Sequence, residues 1–176
     1  MKRIVIICGL ISGVIVSTFM VSSIAVCYNK ESFEGNMLLG YASMLLAFSL
    51  VFVGIKNYRD KHNGGFVTFG KAFMIGLYIS LIASTVYVIV WLVDYYLFIP
   101  DFMEKFAASS INKLQEDGVS GAELESKIAE MGTYKEFYKS PLGVVLITYM
   151  EILPVGLVVS LISALILKRS GGLAKS

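Results

Sequence analysis

A single acid, Glu151, interrupts an otherwise uncharged run of 28 residues between Lys139 and Lys168. At the standard helical rise it stands about nine residues, roughly 13 Å, into the span that begins at Leu142. An ionised carboxylate is costly in hydrocarbon, so an acid at such a depth marks a functional site by default. Two chemistries fit. One is a proton or cation relay, or a polar contact for a ligand. The other is a neutral, hydrogen-bonded carboxyl that holds helices together. No Lys or Arg lies inside any apolar run, so the partners available are hydroxyls: Ser80, Ser84, Thr85 and Tyr87 in one run, Ser17 and Thr18 in another. Pro154 removes a backbone donor three residues further on and is expected to kink the helix. Glu151, Ser84, Tyr87 and Pro154 therefore form one candidate intramembrane polar site.

A second cluster, Tyr58-Arg59-Asp60-Lys61-His62-Asn63-Gly64-Gly65, is the densest polar stretch, and Lys71 follows it closely. Asn-Gly-Gly suits the left-handed end of a helix, and Thr68 suits the start of the next. Arg59, Lys61 and Lys71 are placed to gather a phosphate or lipid headgroup. They equally suit a basic anchor with a tight turn. Tyr58, Arg59, Asp60, Asn63, Gly64, Gly65 and Lys71 make up this second candidate site.

Other chemistry is poorly supplied. The chain has one histidine and two cysteines. Cys8 and Cys27 fall near opposite ends of one apolar run, too far apart for a disulfide. No GxSxG, HExxH, P-loop or paired-carboxylate arrangement occurs. No catalytic residue, cofactor or metal is expected, and the chain does not read as an enzyme. Net charge is +2, and no nucleic-acid partner is expected.

Four apolar runs must position these residues. They lie between Arg3 and Lys30 (26 residues), Glu34 and Lys56 (21), Lys71 and Asp94 (22), and Lys139 and Lys168 (28). Roughly 20 apolar residues cross a bilayer core as a helix. The chain is 56% hydrophobic and 16% charged, whereas a soluble domain carries about 25% charge. The spacing predicts an all-α, four-helix transmembrane bundle forming one membrane domain. Its spans are Ile4–Val26, Met37–Ile55, Phe69–Val93 and Leu142–Leu167. The first is read as a span rather than a cleaved leader, because its uncharged stretch exceeds a typical leader core.

Charge alternates between the runs. The N-terminus carries +2, the first connection −1, the second +3, the third −4 and the tail +3. Basic segments near membrane ends stay in the cytoplasm, so both termini are expected there. Tyr28, Tyr87, Trp91, Tyr95, Tyr96 and Phe98 would form a belt at the outer interface. Tyr58, Phe66 and Phe69 would lie at the inner one.

The spans differ in their small residues. Gly9 and Gly13 allow close approach of another helix. Ala72, Gly76, Ser80 and Ser84 form a four-residue stripe, and Gly156, Ser160 and Ala164 form a second; both predict helix–helix contacts. Ser140-Pro141 reads as an N-cap with proline at the first helical position. The connection from Phe98 to Pro141 should hold short amphipathic helices. The first is capped by Asp101 and carries Met103, Phe106, Ala107, Ile111 and Leu114. The second opens with a Ser120–Glu123 capping box and ends at Gly132. A helical turn follows.

Tyr58-Arg59-Asp60, Asn63-Gly64-Gly65 and Phe69-Gly70-Lys71-Ala72-Phe73 together resemble domain of unknown function 4199, a family of small bacterial membrane proteins. Glu151 to Leu157, Leu161 to Ala164 and Lys168-Arg169 are similar to it as well, and so is the four-run layout. The resemblance implies architecture and a location in the bacterial cytoplasmic (inner) membrane, without a mechanism. Two functional expectations stand: a membrane interaction or assembly protein that contacts the bilayer and a second copy or another membrane protein, or a small transporter or proton-coupled element using Glu151.

Overall fold

The computed structural model describes residues 1–29 and 37–169. Among these the fold is entirely helical: α1 (Lys2–Asn29), α2 (Met37–His62), α3 (Phe69–Leu97), α4 (Phe102–Glu116), α5 (Gly121–Tyr138) and α6 (Pro141–Leu167). Four helices, α1, α2, α3 and α6, are long and apolar enough to cross a membrane. Large side chains such as Val14, Leu46, Ile89 and Ile162 are about half exposed on their outward faces. In water such a surface would drive association; against lipid it is the required one. Lys30, Glu31, Glu34 and Lys175, used in the charge alternation, lie outside the described residues.

Small residues set the packing. A Cβ on Gly9 would stand 2.7 Å from the Ile82 Cβ, and one on Gly13 would stand 2.6 Å from the Val86 Cβ. Rising numbers on α1 meet rising numbers on α3, so these two helices run parallel. On α3 and α6 the order reverses. A Cβ on Gly76 would meet Ser160 at 2.8 Å, and one on Gly156 would meet Ser80 at 2.8 Å. The two stripes thus face each other, and α3–α6 is the most extensive helix pair. Ser12 Oγ donates to the Ala47 carbonyl at 2.8 Å and ties α1 to α2. The core between them is filled by Phe48, Val51, Ile55, Ile75, Ile79 and Ile152, all sealed from the surface.

Val67 and Arg169 exchange backbone hydrogen bonds of 3.1 and 2.8 Å, joining the approach to α3 with the exit from α6. The start of α1, the end of α2, the start of α3 and the end of α6 therefore share one end of the bundle. Among the described residues that end carries Lys2, Arg3, Lys56, Arg59, Lys61, Lys71, Lys168 and Arg169, with Asp60 the one acid. The α4–α5 hairpin occupies the opposite, acidic end.

Several local expectations hold. Ser140 Oγ accepts from the Gly143 amide at 3.1 Å. Thr68 Oγ1 accepts from the Lys71 amide at 3.4 Å. Gly64 and Gly65 take φ of +63° and +85°. Others need correction. The α2 helix runs a further two turns past Ile55, so Tyr58 to His62 are helical and only Asn63–Gly65 turn. Gly132 does not end α5: a mid-helix glycine costs only about 1 kcal/mol, and the helix continues to Tyr138. Ser120 makes no capping bond, and the chain enters α5 through Gly121 at φ +62°. Asp101 occupies the capping position of α4 without capping it. Its carboxylate instead accepts from Tyr28 Oη at 2.6 Å and pairs with Lys105 at 3.0 Å. Lys105 Nζ also lies 4.1 Å from the centre of the Tyr28 ring. This clasp fixes the far end of α1 to α4. Finally, the expected aromatic belt divides. Tyr87, Trp91 and Tyr95 turn inward, whereas Tyr96 and Phe98 stay exposed.

Candidate functional site

Glu151 lies one residue before Ile152, which is fully buried. The helical step from one to the next is large enough to carry Glu151 off the α3–α6 seam. Its side chain is exposed and lines a cavity of about 750 Å³ at the acidic end of the bundle. Five of the long or hairpin helices and α4 all contribute walls. From α3 come Tyr87 and Trp91, one turn apart. From α5 come Glu130, Tyr134 and Tyr138, a single row at four-residue spacing. Ile147, Thr148 and Glu151 come from α6, Tyr41 and Met44 from α2, Met20 and Ile24 from α1, and Phe102, Met103 and Phe106 from α4. Tyr41, Tyr134 and Met150 are themselves exposed, so the cavity opens to the outside of the molecule.

The wall is rigid on its aromatic side. Trp91 meets Phe102 edge-on at 5.1 Å, Phe102 stacks on Phe106 at 5.8 Å, and Tyr95 meets Tyr138 edge-on at 5.4 Å. Such contacts hold rings in fixed orientations. Other parts of the lining are compliant. Five of the eight methionines in the chain line the cavity: Met20, Met44, Met103, Met131 and Met150. Unbranched thioethers adapt to irregular shapes.

Among the described residues Glu151 makes no hydrogen bond or ion pair. Burial pushes the Tyr138 hydroxyl up to about 12, so it remains a neutral donor throughout the ordinary pH range. No Lys, Arg or His appears among the described lining residues.

The four residues of the candidate intramembrane site separate. Tyr87 and Glu151 share the cavity. Ser84 is sealed within the α3 packing face, with its hydroxyl unpartnered. A small side chain there lets the helices close, and an unpaired hydroxyl is the cost. Pro154 is exposed on the outer side of α6, away from the lining residues, and α6 remains a continuous helix through it. Ser80, another expected partner, bonds instead to the Gly156 carbonyl and to Ser160 Oγ, each at 3.1 Å. Thr85 bonds Tyr149 at 2.8 Å. Ser80 is thus taken up by the seam and Thr85 by Tyr149, while Glu151 faces the cavity.

The basic cluster is also internally engaged. Arg59 holds Asp60 through two contacts of 2.6 and 3.2 Å and reaches the Leu167 carbonyl at 3.4 Å. A guanidinium near the last carbonyls of a helix satisfies orphan acceptors. Asn63 Nδ2 donates to the Phe66 carbonyl at 2.6 Å. Lys71 lies 6.0 Å from the buried Tyr58 ring, and Lys61 points outward. Arg59 is thus a tie between α2 and α6 rather than an open phosphate ligand.

The hairpin contribution was missed by sequence reasoning. Its signal was present as Glu130-Tyr134-Tyr138, but α5 as a whole has no clean apolar face and buries none of its residues fully.

No curated protein and no solved structure matches the chain. Residues 7–169, nearly the whole sequence, match the family described as Protein of unknown function (DUF4199), and the chain belongs to that family.

Proposed function

We propose that this membrane protein binds a ligand laterally in the cavity at its acidic end, with Glu151 as the polar contact, as a small transporter or proton-coupled element would. The observation that carries this reading is the unpaired Glu151 carboxyl facing an open cavity of about 750 Å³, which falls within the size range of small-molecule sites. It binds rather than transforms: the lining holds no nucleophile and base in contact. An assembly role draws less support, because the small-residue stripes are occupied within one chain. Contacts with lipid and with a second copy remain available to its outward faces.

A hydrophobic carbodiimide tests the site. It should form an adduct on Glu151 in purified, detergent-solubilised protein, located by peptide mass analysis and absent in Glu151→Gln. Adducts confined to the α4 and α5 acids would overturn the reading.

The basic end is proposed to face the cytoplasm, on the loop-charge rule. In a chain with Cys8→Ser and Cys27→Ser, a cysteine introduced by Ser120→Cys should then react with an impermeant maleimide in intact cells. Reaction only after permeabilisation would reverse the orientation.

A further inference from the structure

We infer that the cavity selects a lipophilic organic cation, such as a quaternary ammonium or phosphonium bearing aromatic or alkyl groups. This rests on the ligand-binding reading above and names its ligand class. Three features of the wall converge on it. First, the two charged groups among the described lining residues, Glu151 and Glu130, are both acids. An anion would meet repulsion from each and gain no counter-charge. Second, the aromatic side chains of Tyr87, Trp91, Phe106 and Tyr138 line the same space. Their ring quadrupoles attract a diffuse cation, and the attraction grows when the cation is desolvated. The rings brace one another, so the wall is ordered before a ligand arrives and little entropy is lost on binding. Third, the remaining wall is methionine-rich, which suits hydrophobic groups of varied shape.

Competing cations fit less well. A hard divalent ion needs six or more oxygen ligands, and no group of three or more His, Cys, Asp or Glu residues is assembled among the described residues. A small hydrated cation gains nothing from apolar walls. A lipophilic cation gains from both, and it supplies the positive charge that Glu151 lacks at its own depth.

Trp91 is the one tryptophan in the chain and lines the cavity, so its emission reports occupancy. The test titrates full-length protein in mild detergent with tetraphenylphosphonium and with tetraphenylborate, which share a shape and differ in charge. The phosphonium should change Trp91 emission saturably and shield Glu151 from the carbodiimide; the borate should do neither. Glu151→Gln should weaken phosphonium binding on the order of tenfold or more, about what one desolvated charge contact contributes. Glu151→Asp should restore part of it. Circular dichroism and gel filtration confirm that the variants stay folded. Equal binding of phosphonium and borate would overturn the cation inference, and so would a phosphonium affinity unchanged in Glu151→Gln. If neither probe binds while the carbodiimide still modifies Glu151, the ligand class is wrong and the cavity reading stands. If the carbodiimide also fails, both fall.

Discussion

The two halves of α6 behave differently although both are apolar. From Gly156 to Ala164 the helix presses closely against α3 through glycine, serine and alanine, and the hydroxyls bond across the seam. From Ile147 to Glu151 it borders an open cavity through Ile147, Thr148, Met150 and Glu151, while Tyr149 bonds Thr85 of α3 at 2.8 Å. In lipid, helices gain little from burying apolar surface against one another, so close packing and interhelical hydrogen bonds decide where they meet. Small residues make a seam; Met, Tyr and Trp at the same positions make a gap. The difference teaches that the stability and the chemistry of this molecule are separated along one helix by a single turn.

The largest effect should come from closing that seam with bulk. Gly156→Leu places side-chain atoms where Ser80 already lies. Overpacking of this kind costs roughly 1–3 kcal/mol and sometimes more. The expected outcome is loss of the monodisperse folded peak in detergent. Survival at full stability would mean that the seam is not tight.

Adjacent positions on either side of Glu151 sharpen the contrast. Ile152→Ala, inside the seam, should cost about 2 kcal/mol or more through the cavity left behind. Met150→Ala, which is 77% exposed, should stay within about 0.5 kcal/mol. Thermal unfolding followed by circular dichroism reads both. Equal costs would erase the distinction between seam and gap.

The smallest effect concerns the clasp at the cavity's rim. Hydrogen bonds from Tyr28 and Lys105 hold the Asp101 carboxyl below the usual carboxylate range. Its stabilisation is therefore present above the ordinary carboxylate value of about 3.9 and is lost as pH falls through the depressed folded value. Amide exchange at the start of α4 should quicken at acid pH. Asp101→Asn should show the faster exchange at neutral pH already, with the α3–α6 seam unaffected. Unchanged exchange would show that the aromatic packing of Phe102 and Phe106 holds α4 alone.

The sequence by itself determined the four spans, because 21 or more uncharged residues between charges leave a helix in lipid as the one way to satisfy the backbone. Charge alternation determined that the basic segments gather at one end. The stripes at Ala72–Ser84 and Gly156–Ala164 were legible too, since four-residue spacing puts side chains on one face of any helix. Tertiary structure decided which face of each helix meets which partner. A shift of one residue from Ile152 to Glu151 turns a side chain by about 100°, from seam to cavity, and nothing in an apolar run announces that turn. The same holds for Ser84, sealed although polar, and for Arg59, spent on Asp60 and the end of α6 rather than left open. Only the folded hairpin brought Glu130, Tyr134 and Tyr138 to Glu151, because residues so placed come together by how helices pack, not by where they stand in the chain.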